Sequence, residues 1–479
     1  MGNEFFIIIL LAVGFGFYMA WGIGANDVAN AMGTSVGSGA LTIRRAVILA
    51  AILEFGGAFL VGTHVSETVR KGIVDPAIFA GDGLSFMLGM LAALLAAGVW
   101  LQLATWKGWP VSTTHSIVGA VVGFGLAYGG ITAVYWDKVG TIVASWVISP
   151  LLSGILSYLI FRIILRNIFY DKRPFLSAKK MAPYLVFFVF AVLSLTLVFK
   201  GLKNLNLDLK TPVAFAVASG VGLIASLVSV FIFSRIPDPK QVKQFEGKDV
   251  ITNPSTVEAL EKAVKHLEHV ELTVPGHMKS EIGDTLDEVK RLRFETQKSY
   301  EFHTNTAEYQ SVEKLFVYLQ ILSACMVAFA HGANDVANAI GPMSAIISVA
   351  LAGGESIAAK TPVPLWVLAL GGFGIAVGLA TWGWRVMETI GHNITHLTPT
   401  RGFSAEIGAA TTIVLASKLG LPISTTHTLV GAVLGVGLAR GISAVNLNTV
   451  KDIVISWIVT IPAGASLAIV FFFGIRIFF

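Results

Sequence analysis

Long apolar stretches recur along this chain. Those near 5–24, 46–66, 139–165, 182–199, 212–234, 315–341, 363–387 and 452–478 are each long enough, as a helix, to cross about 30 Å of hydrocarbon. Two regions, 84–128 and 403–439, differ: each is an apolar segment, a short polar break and a second apolar segment. The breaks read Lys107-Gly108-Trp109-Pro110-Val111-Ser112-Thr113-Thr114-His115 and Lys418-Leu419-Gly420-Leu421-Pro422-Ile423-Ser424-Thr425-Thr426-His427. Each region is either two full spans or a re-entrant hairpin. The hairpin is favoured, because the second arm is Gly-rich and the break is too short and too apolar for an ordinary surface loop. The pattern predicts an all-α polytopic membrane protein.

Composition adds a soluble insert. Hydrophobic residues make up 54% of the 479 and charged residues only 13%, against about a quarter in soluble domains. Residues 237–310 hold 24 of the 63 Asp, Glu, Lys and Arg, and the other 405 residues share 39. Within the insert, Ser255 followed by Glu258 resembles a capping box. Leu260, Val264 and Leu267, then Ile282, Leu286 and Val289, keep helical spacing, so two amphipathic helices are expected. They read as a solvated spacer or as a regulatory or dimer contact. The net charge of +5 sits in basic residues beside apolar spans, as topology signals rather than a nucleic-acid surface. The one cysteine, Cys325, has no internal partner for a disulfide. The start Met1-Gly2-Asn3-Glu4 lacks a basic region before the apolar run, so no cleaved signal peptide is expected.

The chain repeats itself. Gly24-Ala25-Asn26-Asp27-Val28-Ala29-Asn30-Ala31 recurs at 332–339, and Pro110-Val111-Ser112-Thr113-Thr114-His115 recurs as Pro422-Ile423-Ser424-Thr425-Thr426-His427. Val65-Ser66-Glu67-Thr68 echoes Val386-Met387-Glu388-Thr389. Order and spacing are kept, and in a transporter-like chain a repeat puts the substrate site at the repeat interface. Counting spans in the hairpin reading, three belong to the first repeat and two more follow, so the second repeat enters from the opposite side. The expected organisation is a first transmembrane repeat at 1–168, two extra spans at 169–236, a soluble linker at 237–312 and a second, inverted repeat at 313–479. Basic residues concentrate on one set of connections, including Arg44, Arg45, Arg162, Arg166, Lys172 and Arg173; the other set holds fewer, among them Arg70, Lys71, Lys200 and Lys203. The richer side is expected to be cytoplasmic, with both termini outside and the linker inside.

Chemistry gathers in the repeated motifs. Asn26, Asp27 and Asn30, and again Asn334, Asp335 and Asn338, interrupt apolar spans at helical spacing. An ionised Asp at mid-membrane costs roughly 2.5–3.5 kcal/mol on the gentlest scale. A bound sodium ion, which needs hard oxygen ligands, would offset that cost. The bland alternative is hydrogen-bond glue between helices, and two inverted copies weigh against it. Gly22, Gly24 and Gly332 would let the helix unwind and free carbonyls, giving a broken helix at each motif. In the second motif, Ser112, Thr113, Thr114 and Ser424, Thr425, Thr426 follow a proline and open a Gly-rich arm. Ser at the N-cap, free N–H groups and successive hydroxyls form a neutral cradle for a tetrahedral oxyanion. Glu54 is an intramembrane carboxylate that either binds a cation or pairs with a neighbour. His115 and His427 read as proton sites or, more simply, as helix-stabilising hydrogen-bonders. Glu406 and Arg401 stand close enough in sequence to pair at the cytoplasmic mouth.

With both motif pairs at 24–31, 332–339, 110–115 and 422–427, the chain resembles the inorganic phosphate transporter (Pit) family, across most of its length. The resemblance implies phosphate as substrate, symport with Na⁺ or H⁺, and closest likeness to a prokaryotic sodium-dependent symporter in the cell membrane. The expected function is sodium-coupled phosphate import by alternating access, with no enzyme activity and no cofactor beyond co-transported sodium. Phosphate is assigned to the two hydroxyl triplets, sodium to the two Asn-Asp-x-x-Asn sets, and Glu54 is a further cation candidate. Partners are phosphate, Na⁺ and membrane lipid, with no nucleic acid, and a homodimer is left open. The alternatives are a proton- or metal-coupled phosphate carrier, a sulfate permease, and an anion channel. A channel needs a continuous polar lining, whereas the polar residues here cluster.

Overall fold

The structure is a computed structural model and describes residues 3–62, 73–79, 81–198, 209–238, 254–304, 307–354, 363–392, 394–418, 423–441 and 444–479. Among them are fifteen α-helices: α1 (Asn3–Gly37), α2 (Ile43–Val61), α3 (Gly83–Trp106), α4 (Thr113–Gly129), α5 (Trp136–Ile164), α6 (Pro174–Thr196), α7 (Thr211–Ser234), α8 (Pro254–Thr273), α9 (Gly276–Thr304), α10 (Ala307–Leu351), α11 (Leu365–Trp382), α12 (Trp384–His392), α13 (Pro399–Lys418), α14 (Thr425–Leu438) and α15 (Leu447–Arg476). The chain is all-helical among the described residues. Eight helices are long and apolar enough to cross a membrane: α1, α3, α5, α6, α7, α10, α11 and α15. Nineteen-residue α2 carries Arg44, Arg45 and Glu54 and is not among them. The outward faces of α5 and α7 expose Val147, Leu151, Ile155, Leu159, Leu223, Leu227 and Phe231, the apolar coat that lipid requires.

The helices carrying the first motif pair form the centre. They run antiparallel: Gly16 packs on Met343, Asp27 faces His331, and the Ser38 hydroxyl donates to Gln320. Glycines then bring a flanking helix onto each. A Cβ on Gly24 would overlap the Ile375 carbonyl of α11, and one on Gly378 the Trp21 carbonyl of α1. In the same way Gly332 sits on the Glu54 carbonyl of α2, and Gly57 on the Phe329 carbonyl of α10. These are two copies of one arrangement, which makes Ile375 the positional counterpart of Glu54. The contacts also correct an expectation. Helices α1 (35 residues) and α10 (45 residues) continue unbroken through their motifs. Gly24 and Gly332 serve close backbone approach and Gly22 makes room for the Leu101 side chain, so no carbonyls are freed by unwinding.

The first polar break forms a hairpin tip; of the second, residues 419–422 lie outside the described residues, and α13 and α14 flank them. Helix α3 lies along α1, with Tyr18 bonded to Gln102 and Asn26 to Thr105, and turns back as α4. Helix α13 lies along α10, with Ser323 bonded to Glu406, and is followed by α14. The first arm α3 has 24 residues, about 36 Å at 1.5 Å per residue, and the second arm α4 has 17. Each returning arm is buttressed by a helix of the other half. Gly119 and Gly123 of α4 seat on the carbonyls of Ile461 and Ala465 in α15; Gly431 and Gly435 of α14 seat on those of Pro150 and Gly154 in α5. Ser153 and Ser157 reinforce the second seam by donating to the Thr428 and Ala432 carbonyls at 2.6 and 2.7 Å.

The linker forms an antiparallel helix pair, with Val264 and Leu286 buried and Glu268 paired with Lys290 at 3.0 Å. Helix α8 is described from Pro254, and the side chains of Ser255 and Glu258 lie outside what is described. The Val65-Ser66-Glu67-Thr68 echo, Pro422, and Arg70, Lys71, Lys200 and Lys203 lie outside the described residues.

The carbonyl seats make a stability prediction. Gly24→Ala and Gly378→Ala should each destabilise the protein by about 1–3 kcal/mol, the usual cost of overpacking. Gly140→Ala, with open space around the new methyl, should not. Thermal unfolding in detergent measures this, and equal melting of all three variants would contradict the packing described.

Candidate functional site

The two hydroxyl triplets open their helices in the same way. Ser112 is the N-cap of α4 and its Oγ accepts the His115 N–H at 3.2 Å; Ser424 caps α14 and accepts the His427 N–H at 3.2 Å. Each helix thus presents first-turn N–H groups and a positive dipole end beside two further hydroxyls. All six triplet residues are buried.

These hydroxyls are bonded to the Asn-Asp motifs. Thr113 Oγ1 donates to Asp27 Oδ2 at 2.7 Å, and Thr425 Oγ1 to Asp335 Oδ2 at 2.8 Å. The amides cross between halves. Asn30 Nδ2 donates to Thr426 Oγ1 at 2.8 Å, and Asn338 Nδ2 to Thr114 Oγ1 at 3.2 Å. Thr426 Oγ1 in turn lies 3.1 Å from Asp27 Oδ1. The acceptor Oδ1 of Asn30 is buried without a hydrogen-bond partner. Asn334 donates to its neighbour Asp335 at 2.6 Å. Asn26 is employed differently. It donates to Thr105 Oγ1 and to the Trp109 carbonyl and accepts the Val111 N–H, so both ends of its amide hold the first hairpin tip.

The structure adds a residue that the motifs did not flag. The His331 imidazole stands between the carboxylates, with Nε2 at 2.8 Å from Asp335 and 3.8 Å from Asp27, and Nδ1 at 3.4 Å from Glu54. Ligand atoms of Asp27, His331 and Asp335 lie within 4.8 Å of one another, close enough to share one metal ion. Glu54 thereby acquires a neighbour from another helix. The available signal was that a buried carboxylate in α2 needs a partner, and His331 is the one histidine in α10. In the other half the matching places hold Ile23 and Ile375, so the pair has no second copy.

Glu406 corrects a further expectation. It does not reach for Arg401. Its carboxylate accepts from Thr34 at 2.6 Å, Ser35 at 2.9 Å, Gln320 at 3.2 Å and Ser323, while Arg401 donates to the His396 carbonyl at 2.9 Å. Five residues turn a helix by about 140°, so the two side chains leave α13 on different faces. At the matching register of the first half stand Leu94, Phe15 and Ala12 in place of Glu406, Ser323 and Gln320.

Comparison with known proteins places this geometry. A family model described as the phosphate transporter family matches residues 23–468. The inorganic phosphate transporter 2-1 of Arabidopsis thaliana chloroplasts is 47% identical over 457 residues, 95% of this chain and 70% of that protein. A provisionally named phosphate permease of Chlamydia pneumoniae is 46% identical over 476 residues, covering 99% of both chains. A solved structure entitled the sodium-dependent phosphate transporter is 37% identical and superposes with a TM-score of 0.78 over 99% of this chain and 100% of its own.

The unmatched pair yields a test. His331→Leu leaves Glu54 buried beside no imidazole, and removing one partner of a buried pair costs about 3–5 kcal/mol. The double variant Glu54→Ile with His331→Ile recreates what the other half already has, and should melt well above the single variant in detergent. A double variant no more stable than His331→Leu would show that the two residues do not act as a pair.

Proposed function

The chain belongs to the phosphate transporter family, and on that premise we propose that it imports inorganic phosphate by symport with sodium ions through alternating access. Phosphate is held between Ser112, Thr113, Thr114 and Ser424, Thr425, Thr426. Sodium is held by Asp27, Asn30, Asp335 and Asn338, with Asn26 and Asn334 as the remaining amides of the two sets and Glu54 as a further carboxylate.

One observation carries this reading: the hydroxyls an oxyanion needs are donated to the carboxylates a cation needs. Thr113 and Thr425 point their protons at Asp27 and Asp335. A sodium ion on those carboxylates competes for the same oxygens and releases the hydroxyls to turn toward phosphate. Sodium therefore prepares the anion site, and phosphate in turn stabilises the bound cations. Charge enforces the coupling. Asp27, Asp335 and Glu54 carry three carboxylates against the one imidazole of His331. Phosphate adds a further negative charge, and so much excess in a low dielectric requires several monovalent cations.

The antiparallel course of α1 and α10 supports an inverted topology, with the repeats at 1–168 and 313–479; the excess of basic residues on one set of connections puts both termini outside and the 237–312 linker in the cytoplasm. The burial of the motif residues favours an occluded site over a channel's open lining. Transport then moves the site's two sides alternately into contact with water.

Transport into liposomes tests the sites. Asp27→Asn and Asp335→Asn should each lower sodium-driven phosphate uptake by more than about tenfold, since each removes a charge the cation needs. Wild-type sodium dependence in either variant would make that aspartate structural. Sidedness is checked separately. In a Cys325→Ser background, Lys279→Cys should resist impermeant thiol reagents in intact cells and react in inverted vesicles; the opposite pattern would reverse the orientation.

A further inference from the structure

The histidines that follow the hydroxyl triplets have no part in the reading above. His115 and His427 are each the third residue of their helices, and both are almost wholly buried. Their rings meet edge to face, with centroids 4.3 Å apart. His115 also lies on Trp146 of α5 at 3.5 Å, and His427 on Trp457 of α15 at 3.6 Å. The result is a row of four rings, Trp146, His115, His427 and Trp457, each from a different helix.

The row is anchored by the backbone. His427 Nδ1 stands 3.3 Å from the Trp146 carbonyl. The residue four places beyond Trp146 is Pro150, which has no N–H to give that carbonyl. The carbonyl is open to the imidazole, which meets it as an Nδ1–H donor. Neither α4 nor α14 contains an Asp, Glu, Lys or Arg, so no charge on these helices competes for the rings.

Two helix N-termini meet at this row, and their positive dipole ends repel. Hydrogen bonds tie the two first turns at their hydroxyls, where Thr113 and Thr426 both donate to Asp27 and Thr426 also meets the Val111 carbonyl at 3.3 Å; the ring contact adds a second spacer at the third residue of each helix. The hydroxyls of each triplet lie one to three residues before the histidine on the same turn, so a shift of the ring contact is passed directly to them. We propose that His115 and His427 are positioning residues that set the gap between the two hydroxyl triplets, and with it the size of tetrahedral oxyanion admitted. This rests on the assignment of phosphate to the triplets.

Arsenate is the probe, having phosphate's shape and charge with longer bonds. The full chain in liposomes is compared as wild type, His115→Ala, His427→Ala and His115→Phe. The alanine variants should raise the phosphate KM roughly tenfold with a smaller change in kcat, as loosened positioning does. They should also raise arsenate uptake relative to phosphate while leaving the sodium half-saturation at saturating phosphate unchanged. His115→Phe keeps a ring in the row and should restore both the KM and the anion ratio. If the alanine variants do not fold, His115→Leu, which fills space without a flat ring, takes their place and should behave as described for them. A fall in kcat with unchanged KM and anion ratio would overturn the proposal, as would His115→Phe behaving like His115→Ala. Failure of the phosphate assignment itself shows elsewhere: Ser112→Ala with Ser424→Ala would then leave phosphate binding intact.

Discussion

The carboxylates of Asp27 and Asp335 are fully buried in the middle of otherwise apolar helices, and every surrounding element is arranged around satisfying them. An unpaired charge at such a depth is costly. Each motif helix supplies part of what its acid needs, Asn30 to Asp27 and Asn334 with His331 to Asp335, and threonine hydroxyls at the starts of α4 and α14 supply the rest. The helices that bring in those hydroxyls need free first turns, hence the serine caps. They also need close support, hence the glycine seats against α5 and α15. The need to pair two buried acids thus accounts for the contact between the hydroxyl triplets and the two Asn-Asp motifs.

Backbone packing is close to two-fold symmetric, and the polar fittings are not. Glu54 and His331 in one half face Ile375 and Ile23 in the other. The nest around Glu406 has Leu94, Phe15 and Ala12 at its counterpart positions. A transporter whose two sides meet different ion compositions has no reason to keep these fittings equal, whereas its helix seats must match for both halves to fold alike. Symmetry therefore persists where backbone meets backbone and is lost among the buried polar side chains.

Much of this was legible in the sequence. The repeated Asn-Asp motif and the Pro-x-Ser-Thr-Thr-His breaks located the serine caps of α4 and α14 and the residues that meet at the centre, because those motifs encode local geometry: a cap and a helical face. Contacts between distant segments were not legible. His331 stands next to the motif, but its contact with Glu54 depends on how α2 packs on α10. Glu406 is five residues from Arg401 in sequence, yet its partners are 83 to 372 residues away. The motif glycines read as unwinding points, and only the neighbouring carbonyls show that Gly24 and Gly332 serve close approach instead. Asn26 looked equivalent to Asn30 by spacing, and the hairpin tip engages its amide at both ends.

The central claim is that sodium and phosphate share one hydrogen-bonded network, so that each ion strengthens the binding of the other by the same factor. Isothermal calorimetry on the purified full chain in detergent tests this directly. Phosphate is titrated in sodium chloride and in choline chloride at equal ionic strength, and sodium is titrated with and without phosphate. The account predicts that phosphate affinity collapses in choline and that sodium affinity rises when phosphate is present. Equal phosphate affinity in the two salts would contradict it.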